Sequence, residues 1–209
     1  MKQYLDLVNE VLTRGTRKEN RTGIDTISAF NVNYSIDLNE GFPLLTTKEI
    51  SWKNIVIENL WFLSGELHIR LLKKHGCKFW DHWADKEGYV PSAYGNFWRK
   101  FPIHGNEKYN DQVRYVLDTL QKNPNSRRMV ISAWAPGNAQ ASDLPPCHLM
   151  FIFNVQYDKN NEPRLCVHLT QRSCDVALGV PYNIAGYSFL LHLFAHLSGM
   201  KIGTFGHSL

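Results

Sequence analysis

Hydrophobic residues recur at helical spacing near the N-terminus. In "KQYLDLVNEVLTR" Leu5, Val8 and Leu12 share one face, and Gly15 follows where a helix would stop. The next apolar run, "TISAFNVNYSIDL", has strand composition and is broken by "NEGFP". From Trp52 the helical period returns through "WKNIVIENLWFLSGELHIRLLKKHG", with an interruption expected at Ser64 and Gly65. It appears again in "NDQVRYVLDTLQKNP", carried by Val113, Val116, Leu117 and Leu120 and stopped before Pro124. "RMVISAW" reads as a short buried strand. "HLMFIFNVQY" and "RLCVHLTQR" flank the polar turn "DKNNEP" and read as a hairpin. "YNIAGYSFLLHLFAHLSG" is a last helix closed by Gly199, and no element is assigned after it. This order predicts an α+β fold, a single domain over residues 1–209 with a mixed or antiparallel sheet packed by helices.

Composition narrows the class. A chain of 209 residues with a hydrophobic fraction of 44% can bury one sizeable core. The net charge of +4 is not gathered into any run, which favours an anionic small ligand over a nucleic-acid stripe. Four cysteines, Cys77, Cys147, Cys166 and Cys174, show no metal-ligand spacing, so the expectation is reduced thiols in a cytoplasmic compartment and no metal. The last helix carries His192, His196 and Ser188 among its apolar residues and reads as buried in protein rather than as a membrane span.

Against this background one stretch stands out. In "DLPPCHL" two prolines stand directly before Cys147. Proline fixes φ, lacks an N–H and restricts the residue before it. A lone cysteine is more often a small buried apolar residue, yet here the approach to the thiol has little freedom, as a nucleophile requires. His148 is a poor base for it, because adjacent strand residues point to opposite faces. Activation would have to come from cations elsewhere. Arg21, Arg127, Arg128 and Arg172 all lie at element edges, and Arg128 and Arg172 stand close to serines. Each alone reads as surface charge; together they suit a phosphate dianion, which the guanidinium fork binds bidentately. Glu58 sits among Ile55, Trp61 and Phe62 at helical spacing. Such a carboxyl either points to solvent or, if buried, has a raised pKa and can shuttle protons. His192 and His196 are four apart but lack a third ligand, so packed histidines are expected. Phe79, Trp80 and Trp83 are core or a stacking wall for a flat heterocycle.

Taken together these stretches resemble the thymidylate synthase family. The resemblance rests on "RTG" at Arg21, "GFPLLTTK" ending at Lys48, "ENLWFLSG" at Glu58, "WDHWAD" at Trp80 and Trp83, "YG" at Tyr94, "SRR" at Arg127 and Arg128, "LPPCH" at Cys147, and "QRSCDVALGVPYNIAGY" from Gln171 to Tyr187. It implies one-carbon transfer from methylenetetrahydrofolate, a cosubstrate, to carbon 5 of dUMP. Cys147 would add to carbon 6, splitting one hard step into two easier ones. Arg21, Arg172 and Ser173 would hold the phosphate, with Arg172 also lowering the Cys147 pKa. Arg127 and Arg128 would reach the phosphate of the neighbouring subunit in a homodimer. Asn183 would read the uracil edge. Gln171, Asp175 and Gly179 would line the cleft, and Glu58, Tyr94 and His148 would order the waters that move protons. Trp80, Trp83, Leu144 and Asp175 would contact folate, and Lys48 its anionic tail.

The sequence departs from the family pattern in places. Glu49 follows Lys48 where a basic residue is usual, Ala177 replaces an aromatic, and Gly186 replaces a serine. The pattern also continues beyond Leu209, through an His-x-Tyr motif, so a shortened member is expected. These departures leave two other readings: a pyrimidine-nucleotide hydroxymethylase acting on dUMP or dCMP, and a non-catalytic homologue that binds nucleotide or RNA.

Overall fold

The structure is a computed structural model and describes residues 1–20, 23–105, 108–139 and 144–209. Helix α1 (Lys2–Arg14) leads into a small hairpin of β1 (Thr16–Lys18) and β2 (Thr26–Ser28). Strand β3 (Asn33–Asp37) then enters the main sheet. Helices α2 (Trp52–Ser64), α3 (Arg70–Lys74) and α4 (Tyr94–Lys100) follow, then a short ribbon of β4 (Phe101–Pro102) and β5 (Tyr109–Asn110). Next come α5 (Gln112–Lys122), β6 (Val130–Ser132) and α6 (Pro136–Ala139). The chain ends with β7 (His148–Tyr157), β8 (Pro163–Gln171), α7 (Gly179–Ser198) and β9 (Lys201–Ser208).

The main sheet has the order β3-β9-β8-β7-β6 among the described residues. It is mixed: β8 and β9 run parallel and the other neighbours antiparallel. The long helix α7 is the crossover that a parallel pair requires. Alternation along β7 and β8 sends Phe151, Phe153, Val155, Leu165, Val167 and Leu169 to the inner face. There they meet Ile184, Tyr187, Leu191 and Phe194 from α7, all almost wholly buried. The apolar α7 is therefore a core helix, as expected, and no helix among the described residues is long and apolar enough to cross a membrane.

The helical layer is fastened by caps that the sequence encodes. Ser51 accepts from the Asn54 N–H at the start of α2, and Asp111 from the Arg114 N–H at the start of α5. Gly65 ends α2 in the left-handed conformation, at the expected interruption. Gly95 lets α4 press against that end, because a Cβ there would stand 2.3 Å from the Phe62 carbonyl oxygen. This close crossing brings Tyr94 to the same wall as Glu58.

The structure corrects three expectations. On α1 the buried residues are Tyr4 and Leu7, with Val8 and Val11 beside them; Leu5 is 51% and Leu12 65% exposed. The stripe that includes the tyrosine offers more apolar area than the leucine stripe, and it wins. The run from Thr26 to Leu38 is two strands in different sheets, parted where Asn31 takes a positive φ of 62°. Finally, the residues after Gly199 form β9, which lies inside the sheet with Phe205 and His207 fully buried. Gly203 and Gly206 hide this strand from propensity, yet both are needed: a Cβ would stand 2.6 Å from Cys166 Sγ in the first case and 2.5 Å from His168 Nδ1 in the second.

Candidate active site

The candidate site lies where β7 begins and β8 ends. His148 faces Gln171 across the ladder, and the Arg172 N–H donates to the Cys147 carbonyl at 3.0 Å. The Arg172 side chain turns back over this edge. Its Nε donates to the Pro146 carbonyl at 2.9 Å and its Nη2 to the Pro145 carbonyl at 2.7 Å, which leaves Nη2 3.9 Å from Cys147 Sγ. Its guanidinium also lies over the Trp134 ring, 5.7 Å from the centroid. The two prolines thus present stiff carbonyls to the cation beside the thiol. Arginine has five N–H donors, so part of the fork stays open for an anion. Burial pushes the Cys147 thiol up and Arg172 pulls it down, and burial wins. The expected lowering by Arg172 is present, but only as the smaller effect. Cys174 nearby is pushed up to about 11 by burial, then by Asp175 and Cys147, and is a poor nucleophile there.

Tyr94 closes one side. Its hydroxyl oxygen accepts from the backbone N–H of Cys147 at 3.0 Å and of His148 at 3.3 Å. Its ring stacks on His148 with centroids 4.7 Å apart and planes 10° from parallel. Burial, followed by the nearby Cys147, drives the Tyr94 pKa above its ordinary value, so the hydroxyl keeps its proton and can donate it. His148 also meets the Tyr187 hydroxyl through Nδ1 at 3.1 Å, and the Asn183 side chain beside it works against the lowering of its pKa. Burial lowers the His148 pKa to about 4, so the imidazole is neutral and offers one donor and one acceptor. Asn183 lies one turn into α7 from Gly179.

Glu58 and Trp80 form the next wall. Trp80 Nε1 donates to Glu58 Oε1 at 2.7 Å. The indole is itself locked by ring contacts with Trp61, Phe62 and Tyr94, and is 7% exposed. Burial raises the Glu58 pKa to about 7, with the Trp80 bond working against the rise. The carboxyl can therefore take up or release a proton near neutrality.

Before α7 the chain is tied down locally. Asp175 Oδ1 accepts from the N–H groups of Ala177 and Leu178, at 2.9 and 2.7 Å. The Asp175 carbonyl accepts from Gly179 and Val180. Lys48 Nζ donates to the Ala177 carbonyl at 2.7 Å, so it joins this margin from the other side. Trp83 and Leu144 are partly buried against the core. Ser173 is exposed next to Arg172, and its carbonyl receives a 3.4 Å bond from Gln171 Nε2.

Arg21 lies outside the described residues. Arg127 and Arg128 are exposed just before β6, at the far end of the sheet. Val130 pairs with Ile152, so Arg128 stands about six strand positions from His148, roughly 20 Å away.

A thiol leaned upon by arginine, a poised and partly buried carboxyl and an asparagine beside His148 agree with the sequence resemblance. A family model described as "Thymidylate synthase" matches residues 2–209. The chain belongs to the thymidylate synthase family. It is 49% identical to a protein named thymidylate synthase from Haloferax volcanii, over 98% of this chain. The chain spans 64% of the length of that relative. Within the thymidylate synthase fold, contacts that the sequence reading did not assign stand beside the site: Tyr187 meets His148, and His207 joins Tyr34 to Gln171. His207 sits in the glycine-broken strand to which no element was assigned. Among the described residues no group of three or more His, Cys, Asp or Glu side chains is arranged to hold a metal ion.

Proposed function

We propose that the protein methylates carbon 5 of dUMP, with methylenetetrahydrofolate as cosubstrate, giving dTMP and dihydrofolate. The observation that carries this reading is the Cys147 thiol, held 3.9 Å from the Arg172 guanidinium at the rigid "PPC" edge of the sheet. Folate supplies both the one-carbon unit and the hydride. The side chains expected at its subsite suit a flat heterocycle with an acidic tail: Trp83 and Leu144 are partly buried apolar groups, and Lys48, which meets the same Ala177 as Asp175, supplies a cation.

The protein's own part begins with the phosphate, received by the open donors of Arg172 and by Ser173. Cys147 loses its proton and its sulfur forms a bond to carbon 6 of uracil. The electrons of the 5,6 double bond move toward carbon 5 and the carbonyl oxygen, which makes carbon 5 the nucleophile. Asn183, beside His148, meets the ring N–H and the neighbouring carbonyl together. Glu58 and Tyr94 hold and relay protons through ordered water as the carbon 5 proton leaves. When the carbon–sulfur bond breaks, Cys147 is regenerated.

Arg127 and Arg128 are too far along the sheet to reach their own Cys147, which supports a homodimer in which each subunit lends them to the other site. The outer face of the sheet presents Met150, Ile152, Asn154 and Thr170, a suitable surface for a second copy. Mixing Cys147→Ala subunits with Arg127→Ala/Arg128→Ala subunits should restore activity at one site of each mixed dimer. No recovery after proven subunit exchange refutes the sharing.

The decisive test is tritium release from dUMP labelled at carbon 5. The protein should release it, and Cys147→Ala should fall by at least about a thousandfold. Undiminished release by the alanine variant overturns the proposal. Product mass separates methylation from hydroxymethylation.

A further inference from the structure

A buried hydrogen-bonded chain runs from β3 through β9 into the cleft. Tyr34 OH lies 2.6 Å from His207 Nδ1, and His207 Nε2 lies 2.6 Å from Gln171 Oε1. Gln171 Nε2 continues the chain to the Ser173 carbonyl at 3.4 Å. His207 is fully buried and Gln171 is 6% exposed. The ring of Tyr34 packs edge-on against His207, and Phe205 covers another side.

The direction of this chain follows from its end. A carbonyl oxygen only accepts, so the Ser173 oxygen must face the amide nitrogen of Gln171. The amide oxygen then faces His207, which must donate from Nε2. A neutral imidazole has one N–H, so Nδ1 is bare and accepts from Tyr34 OH. Burial, reinforced by His148 and His168, lowers the His207 pKa to about 3 and keeps the ring neutral. One hydrogen of the Gln171 amide points to Ser173, and the other meets no acceptor in the hydrogen bonds of the described residues.

We infer that His207, oriented by Tyr34, is a positioning residue that fixes the Gln171 amide with its N–H turned into the cleft, so that this position selects an acceptor on the bound nucleotide. The inference deepens the dUMP reading and rests on it for the ligand. It also ties the loop of Arg172 and Ser173 to β9.

Two measurements separate this inference from the reading beneath it. The first needs no ligand: nitrogen NMR of ¹⁵N-histidine protein at neutral pH. His207 should show the Nε2–H tautomer, and Gln171→Leu, which removes the acceptor that fixes it, should convert it to a mixture. An Nδ1–H ring in the parent protein overturns the inference. The second is calorimetry with dUMP, using the parent protein as the control for the nucleotide reading. His207→Leu should weaken dUMP by about tenfold, and His207→Gln, which restores a donor near the Nε2 position, should recover most of that loss. Folate KM should change less than twofold or so, because the chain does not touch that margin. If folded His207→Leu binds dUMP as the parent does, or His207→Gln recovers nothing while folded, the inference fails. If the parent itself does not bind dUMP, the nucleotide reading fails and the NMR result still judges the relay.

Discussion

Gln112 and Glu58 are two polar side chains turned into the protein from helices, and they are treated oppositely. Gln112 is saturated. Its amide nitrogen donates to the carbonyls of Phe97 and Ser132 at 2.8 and 2.7 Å, and its oxygen accepts from the Ser132 N–H at 2.8 Å. It clasps α4, α5 and β6 with no capacity to spare. Among the described residues Glu58 has one bond, from Trp80, and a proton that burial makes hard to lose. The first arrangement stabilises a fold. The second leaves lone pairs and a proton unassigned, which is what a group awaiting a substrate needs. The two side chains differ in hydrogen-bond saturation as well as in burial, since Gln112 is 7% exposed and Glu58 only partly buried.

The contrast can be broken most sharply at Glu58. Glu58→Gln should cut turnover by roughly 10³-fold while leaving dUMP affinity almost unchanged. It should not destabilise the fold. Because folding raises the Glu58 pKa from 4.5 to about 7, the parent's stability from this group is complete below 4.5 and is lost as pH rises through about 7. Glutamine cannot ionise, so denaturant midpoints should favour the variant progressively across that window. A parent that does not lose ground across it would show that the carboxyl ionises freely.

Gln112→Leu should do the reverse. Three buried backbone groups lose their partners, a cost of about 3 kcal/mol in chemical denaturation, with kcat/KM of the surviving protein within about twofold. A large catalytic loss at unchanged stability would erase the distinction. Smaller again is Asn183→Asp. It should shift the dUMP to dCMP preference by about tenfold toward dCMP, mainly by weakening dUMP. An unchanged ratio would mean that the amide does not read the base. The smallest effect belongs to Ser188, whose Oγ is buried without a partner among the described residues. Ser188→Ala should raise stability by about 1 kcal/mol, because the hydroxyl's desolvation is not offset. A drop instead would reveal a partner for it.

Much of this arrangement was legible in the chain. Long, strongly patterned elements came through: the interruption at Gly65, the hairpin around "DKNNEP", and the end of α7 at Gly199 all depend on local chemistry that a sequence displays. Cys147 stood out because two prolines precede it. What stayed hidden needed tertiary knowledge. Strand β9 is glycine-broken because its glycines make room for Cys166 and His168, which the sequence places far away. His207 was invisible for the same reason. The face of α1 was misread because Tyr4, amphipathic by composition, outweighs the exposed leucines once there is a core to meet. The pKa of Cys147 was expected to fall because the arginine was recognised and the burial could not be.

The grip of Arg172 on the two proline carbonyls has a consequence for how such a protein can change. On the proposed reading the same guanidinium receives the incoming anion and steadies the segment that carries the sulfur. Affinity and reactivity therefore share one component and cannot be tuned independently at that position. A lineage that shifts to a ligand without a phosphate would lose the aim of its nucleophile along with its grip on the substrate, unless another cation first took over the prolines. New specificities are easier to reach at the asparagine and glutamine, which can be altered while the sulfur stays in place.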